Sequence, residues 1–91
     1  VATAGFELYQ NTPNPFKAET RIDFYLPEPA EVTLEIRDDL GRLLLSREDG
    51  FAAGPQSFRL TREDLPVTGV LYYSVSVDGR KATRKMIRLE R

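Results

Sequence analysis

Hydrophobic and polar residues alternate along most of this chain, with the period of two that is typical of half-buried strands. Clean alternation predicts strands over Thr20–Leu26, Glu31–Arg37 and Gln56–Leu60, each with its apolar residues directed into a core. Clusters of glycine, proline, asparagine and aspartate separate these runs, as expected where the chain turns sharply. No stretch has convincing helical periodicity, so the pattern indicates an all-β domain.

The longest alternating run is Gly69–Val77, which Asp78-Gly79 joins to a return run over residues 80–91. An Asp-Gly pair between two such runs predicts a two-residue type I′ turn, because that turn needs positive φ at both central positions. On the return strand, Ile87 and Leu89 are expected to face inward. The pattern therefore builds the last residues of the sequence into a sheet.

The remaining runs complete a seven-stranded antiparallel sandwich of the immunoglobulin or fibronectin type III kind. The expected core contains Phe24, Leu34, Ile36, Phe58, Tyr73 and Val75. The other expected elements are a first edge strand at Gly5–Tyr9, a rigid loop at Pro13–Phe16 in which Phe16 closes the core, a turn at Asp38–Arg42, a strand at Leu43–Arg47 and a polar loop at Glu48–Pro55.

The residue content excludes most enzyme chemistry. The 91-residue chain has no cysteine and no histidine, which removes the usual nucleophilic triads, zinc sites and near-neutral proton shuttles. We therefore expect no enzyme activity and no cofactor. Asp38-Asp39 and Glu48-Asp49 could hold calcium if their loops met, although no EF-hand spacing is present. No apolar run is long enough to span a bilayer.

Charge is distributed unevenly. Residues 80–91 hold six of the thirteen basic residues and one of the fourteen acidic residues, which leaves seven basic and thirteen acidic residues in the rest. This basic terminal strand could contact a partner, or its charges could protect a sheet edge from unwanted pairing. Nucleic-acid binding is disfavoured, because the remainder is acidic and no aromatic residues are interleaved in the strand.

Several motifs occur in order along almost the whole chain. They are Phe6-x-Leu8-x-Gln10-Asn11-x-Pro13-Asn14-Pro15-Phe16, Ile22-x-Phe24-x-Leu26-Pro27, Val32-x-Leu34-x-Ile36-x-Asp38-x-Leu40-Gly41-Arg42, Gly69-Val70-Leu71-Tyr72-Tyr73 and Ala82-Thr83-Arg84-Lys85-Met86. In this order and spacing the chain resembles the type A C-terminal sorting domain of the type IX (Por) secretion system of Bacteroidetes. One departure is Leu71, where the family often has an aromatic residue.

The resemblance implies an immunoglobulin-like fold and a role in protein secretion, with no catalysis. Such a domain directs its covalently linked N-terminal cargo through an outer-membrane translocon to the cell surface, where a signal peptidase commonly removes it and the cargo is anchored. Residues 1–5 would then be a linker to the cargo, and residues 1–91 a single sorting domain. The residues that the resemblance offers for translocon recognition are Arg84, Lys85, Met86, Arg88, Asn14, Pro15, Phe16, Gly41 and Arg42.

Structural roles compete with recognition at each of these positions. The Pro13–Phe16 loop could be a crossover between sheets, Gly41 a turn residue and Arg42 a cover over apolar surface. An alternative function is an accessory or adhesive immunoglobulin-like module of a secreted enzyme, which would bind glycan or a neighbouring domain. Exposed aromatic residues would favour it, and the candidates are Tyr9, Tyr25 and Tyr72. A sorting domain is expected to end the reading frame near Arg91.

Overall fold

The computed structural model of this chain describes residues 6–89 and forms two antiparallel sheets with no helix in that range. Gly5 and the expected linker over residues 1–5 lie outside the described residues. The strands are β1 (Glu7–Leu8), β2 (Glu19–Leu26), β3 (Ala30–Asp38), β4 (Leu43–Phe51), β5 (Gly54–Thr61), β6 (Gly69–Val77) and β7 (Arg80–Arg88). The expectation of seven strands and an all-β class is therefore confirmed.

One buried cluster holds the two sheets together. The first sheet has the order β1-β2-β5 and the second the order β4-β3-β6-β7. Phe51 of the second sheet packs edge-on against Phe24 and Phe58 of the first, with ring centroids 5.2 Å apart in both pairs. The expected core is confirmed, since each of its six residues is at most 5% exposed. Phe16 is also buried in this cluster, as expected.

The prediction of a polar loop at Glu48–Pro55 is wrong, because most of that segment belongs to strands β4 and β5. β4 continues to Phe51 and β5 begins at Gly54, so only two residues separate them. Residues 48–51 pair with residues 30–33 of β3. The local sequence is poor in strand-forming residues, and pairing along β3 overrides that preference. Gly54, with φ of 107°, starts β5 in a conformation that other residues rarely adopt.

The terminal hairpin forms with the expected turn but with the opposite face of β7 inward. Asp78 and Gly79 have φ of 50° and 80°, as a type I′ turn requires. This turn pairs Val77 with Arg80 and Leu71 with Met86, so the even-numbered residues of β7 share the inner face of β6. The sequence-based expectation that Ile87 and Leu89 face inward is wrong, and the buried residues of β7 are Met86 and Arg88.

Candidate functional site

The proline-containing segment over residues 10–16, called here the proline segment, lies along the outer edge of β7. The Ile87 amide donates a hydrogen bond to Asn14 Oδ1 at 3.0 Å. The Phe16 amide donates to the Ile87 carbonyl at 3.0 Å, and the Leu89 amide donates to the Phe16 carbonyl at 2.7 Å. Gln10 Nε2 donates to the Lys85 carbonyl at 2.7 Å. The proline segment therefore covers the part of the β7 edge from Lys85 to Leu89.

Internal hydrogen bonds hold the proline segment in this position. Asn11 is buried, and its Nδ2 donates to the Pro13 carbonyl at 3.1 Å and to Thr20 Oγ1 at 3.0 Å. The backbone amide of Asn11 donates to the hydroxyl of Tyr73 on β6 at 2.9 Å. The peptide bonds preceding Pro13 and Pro15 are cis. Burial raises the pKa of the Tyr73 hydroxyl above its ordinary value, which keeps this hydroxyl protonated.

Two sets of predicted recognition residues thus converge at the end of β7. Asn14 and Phe16 supply the hydrogen bonds that fix Ile87 and Leu89, while Pro15 between them is exposed. Asn14 and Phe16 therefore have a structural role in holding the last described strand. Any recognition through this loop would use its exposed prolines and the shape of the covered edge.

The basic residues of β7 do not form one continuous charged surface. Arg88 is only 8% exposed, and it donates from Nη1 to the Val67 carbonyl at 3.2 Å. Its Nε has no hydrogen-bond partner among the described residues. Arg84 is exposed but donates from Nε to the Leu8 carbonyl at 3.0 Å. Arg88, one of the candidates for translocon recognition, is therefore largely buried in this fold.

Lys85 and Met86 have separate positions as well. Lys85 lies on the outer face of the sheet, paired with Tyr72, and is exposed. Met86 lies on the inner face and is fully buried. Of the four candidate residues on β7, Lys85 is the one whose side chain is freely available on the outer face.

Gly41 and Arg42 form a turn at the end of the second sheet, on the side of its other edge strand, β4. Gly41 has φ of 85°, and Arg37 Nη1 donates to its carbonyl at 3.1 Å. Arg42 Nε donates to Asp38 Oδ2 at 2.7 Å, and its amide donates to Asp38 Oδ1 at 2.9 Å. The hydrogen bond from the Arg42 amide is the main reason that the pKa of Asp38 lies below its ordinary value. Arg42 thus caps its own turn instead of covering a strand.

The acidic residues considered for calcium are not brought together. Asp38 is held by Arg42 at one end of β3, whereas Glu48 and Asp49 pair with Thr33 and Val32 towards its other end. Six residues along a strand separate these positions by about 20 Å. Among residues 6–89, no group of three acidic side chains could hold a metal ion.

No helix in this range is long and apolar enough to cross a membrane.

Sequence analysis missed Asn11 and Tyr73 as parts of this site. Tyr73 was expected only as a core residue, although its hydroxyl needs a partner when the ring is buried. That need was the available signal, because a buried tyrosine in a β core implies a nearby polar group. The partners, the Asn11 amide and the Tyr9 carbonyl, lie more than sixty residues away and could be found only in the fold.

Comparison with known proteins adds information about the fold. No family model matches the chain, and no curated protein matches it. The chain is similar to part of dimeric latent PorU from Porphyromonas gingivalis, with a TM-score of 0.72 and 19% identity over 96% of this chain. It spans 9% of the length of PorU. It is also similar to the sensor domain of the anti-sigma factor RsgI4 from Pseudobacteroides cellulosolvens, with a TM-score of 0.53 and 11% identity, over 92% of this chain and 94% of that one. At these identities both matches describe a shared arrangement of strands.

Proposed function

We propose that this chain is a sorting domain that directs a covalently linked cargo through the type IX secretion system, and that its fold is immunoglobulin-like. The ordered motifs of the sequence support the proposal. PorU is named after the Por system that those motifs indicate, and part of PorU shares this fold. The sequence motifs support this system, and the fold shared with part of PorU is compatible with it.

The observation that carries the proposal is the contact between the proline segment and β7. Two motifs that lie at opposite ends of the sequence meet through Asn14, Phe16, Ile87 and Leu89. A short linear signal would not need this contact, whereas a signal that is read as a folded domain does. We infer that the translocon reads the folded domain, with the covered end of β7 as part of the signal.

The proposal assigns no chemistry to the chain. It places the domain in the periplasm, the outer membrane and finally outside the cell, with the translocon and its surface signal peptidase as partners. The cargo would precede the domain in the same polypeptide. The proposal requires no cofactor, and the domain would act through its surfaces alone.

The experiment fuses residues 1–91 to the C-terminus of an inert periplasmic reporter, in a host that has the type IX system. We expect the reporter outside the cell, and we expect it in the periplasm of an isogenic strain that lacks the translocon. The matched control carries the same domain with Phe58→Ala, which should destabilise the fold strongly while leaving the proline segment and β7 unchanged in sequence. A reporter that stays in the periplasm with the intact domain would contradict the proposal.

One observation favours a second candidate function, glycan binding. Tyr9 and Tyr25 lie on the outer face of the first sheet and are exposed. Tyr9 lines a shallow cleft together with Arg21, Asp23 and Gln56. Tyr9 donates a hydrogen bond to Glu7. Exposed aromatic rings beside polar groups suit sugars, but Tyr72 lies on the other sheet and cannot contribute. Electrophoresis in polysaccharide gels tests this candidate, since binding should slow the parent but not a Tyr9→Ala variant.

A further inference from the structure

The outer face of the second sheet is divided into two chemically different halves. Strand pairing places Leu43, Arg37, Tyr72 and Lys85 in one row across β4, β3, β6 and β7. Val70 and Ile87 form the next row towards the sheet end. We call these six residues the outer row patch. Leu43 is 49% exposed and Tyr72 is 39% exposed, so the patch presents apolar surface to solvent.

The other half of the same face is polar. Its first row contains Ser46, Glu35, Ser74 and Thr83, and the following row contains Glu48, Thr33, Ser76 and Lys81. Ser74 and Thr83 share a hydrogen bond of 2.9 Å between their hydroxyls. This half is an ordinary solvated sheet face, and the contrast makes the apolar half a candidate contact surface.

The charges within the outer row patch are positive. Arg37 and Lys85 belong to it, and the nearest acidic residue of the face, Glu35, contacts Arg37 at 3.5 Å. Lys85 is exposed and has no ion pair among the described residues. Asp38 at the sheet end is engaged by the turn and by Arg42. The patch therefore combines an aromatic ring and aliphatic side chains with the unpaired positive charge of Lys85, beside Arg37, whose charge is shared with Glu35.

We propose that the outer row patch docks onto a folded protein whose surface presents apolar side chains flanked by carboxylates. Tyrosine at the centre of a contact supplies large area with little loss of side-chain entropy, and Lys85 and Arg37 select an acidic partner. The inference rests on the proposed export function, because it names the surface that the export machinery contacts. It also adds residues, Leu43 and Tyr72, that lie outside the covered end of β7.

Two other occupants fit the charges less well. A second copy docking through the same patch would oppose Arg37 and Lys85 with identical cations. An anionic lipid surface is an extended plane of negative charge, so it would also repel the thirteen acidic residues that precede residue 80, whereas a protein partner can carry its carboxylates only opposite the patch. The acidic protein is therefore the occupant to which the proposal commits.

The chain offers a matched pair of tyrosines to test the proposal. Tyr72 is 39% exposed on the outer face of the second sheet, and Tyr25 is 38% exposed on the outer face of the first. Both are changed to threonine, which retains strand preference, in the reporter fusion with residues 1–91. Tyr72→Thr should reduce the exported fraction by about tenfold or more, the size expected for a central aromatic contact. Tyr25→Thr should leave export unchanged.

Every outcome of this experiment decides between the proposals. A parent fusion that is not exported overturns the export function itself. If the parent and the Tyr72→Thr variant are both exported, the docking surface is overturned and the export function stands. Equal losses of export in the Tyr72→Thr and Tyr25→Thr variants also overturn the docking surface. If Tyr72→Thr does not fold, the Lys85→Glu variant is tested in its place. Lys85 is exposed, and this substitution should also reduce export. Sedimentation of the parent, but not of Lys85→Glu, with phosphatidylglycerol vesicles would assign the patch to lipid and overturn the protein partner.

Discussion

The hydroxyl of Tyr73 donates a hydrogen bond to the carbonyl oxygen of Tyr9 at 2.8 Å and accepts one from the amide of Asn11 at 2.9 Å. These two bonds fasten the start of the proline segment to β6, a central strand of the second sheet. They connect positions 64 and 62 residues apart in the sequence. One buried side chain thereby ties the cover of the β7 edge to the core.

Tyr73→Phe should destabilise the domain by about 1–3 kcal/mol, because it leaves the Asn11 amide and the Tyr9 carbonyl without their partner. Urea unfolding of the parent and the variant measures this difference. Tyr72→Phe is the matched control, since it removes a hydroxyl from the adjacent exposed residue of the same strand and should change stability by less than about 0.5 kcal/mol. Equal effects of the two substitutions would contradict the assigned role of Tyr73.

Phe58→Ala should cost about 3–5 kcal/mol, as is typical of a buried phenylalanine. Its ring is 5% exposed and stacks on Phe24 with centroids 5.4 Å apart. Phe51→Ala should cost less, because Phe51 is half-buried and its cavity would open to solvent. Thermal and urea unfolding measure both. A cost below about 1 kcal/mol for Phe58→Ala would mean that β5 faces the other way.

Stability should fall on acidification, in part through Asp64. Its carboxylate accepts hydrogen bonds from the Thr61 amide and from Arg47 at 2.9 and 2.7 Å, and the Thr61 bond is the largest cause of its lowered pKa. A lowered pKa in the folded state contributes stability that is present above the ordinary value of 3.8 and is lost as pH falls through the folded-state value. Asp64→Asn should therefore melt below the parent at neutral pH, with a gap that narrows in acid. A gap independent of pH would contradict this account.

The fold was largely predictable because alternation and turn residues agree with it in most places. The register of β7 was predictable too, since a two-residue turn after Val77 pairs Val77 with Arg80 and sends Met86 inward. The error came from judging Ile87 and Leu89 by hydrophobicity without extending that pairing. The two-residue connection between β4 and β5 was harder to predict, because Glu48 and Asp49 are held in the strand by pairing with β3.

The candidate site was predictable only as separate motifs. The sequence indicates the Asn14-Pro15-Phe16 loop and the basic terminal strand, but no local rule places one beside the other. Their contact depends on hydrogen bonds such as that from Ile87 to Asn14, between residues 73 apart. The partition of basic residues into buried Arg88 and exposed Lys85 also depends on the sheet as a whole.

Asn14→Ala should loosen the end of β7 without unfolding the domain. It removes the acceptor of the Ile87 amide, and a hydrogen bond of about 1 kcal/mol corresponds to roughly two- to tenfold faster amide exchange where opening is local. Hydrogen exchange at Ile87 measures the change. Asn14→Asp is the matched control, because it keeps an oxygen at the same place and should retain the protection. Unchanged exchange in the alanine variant would show that Asn14 does not fix this strand.

The charges of β7 should contribute to export through Lys81 and Lys85, which lie exposed on the outer face. Arg84 and Arg88 are unsuitable for this test, because Arg84 donates a hydrogen bond to the Leu8 carbonyl and Arg88 is buried against Val67.

The variant that combines Lys81→Gln with Lys85→Gln removes two positive charges. Neither lysine side chain makes a hydrogen bond within the described residues, so the variant should melt within a few degrees of the parent. We expect the reporter fusion of this variant to be exported less than the parent, since an acidic partner would lose the charge of Lys85 within the patch and the longer-range attraction of Lys81 from the neighbouring polar half. Export at the parental level by a variant that melts normally would mean that these lysines only protect the sheet edge. Recognition would then depend on the covered end of β7 and its proline segment.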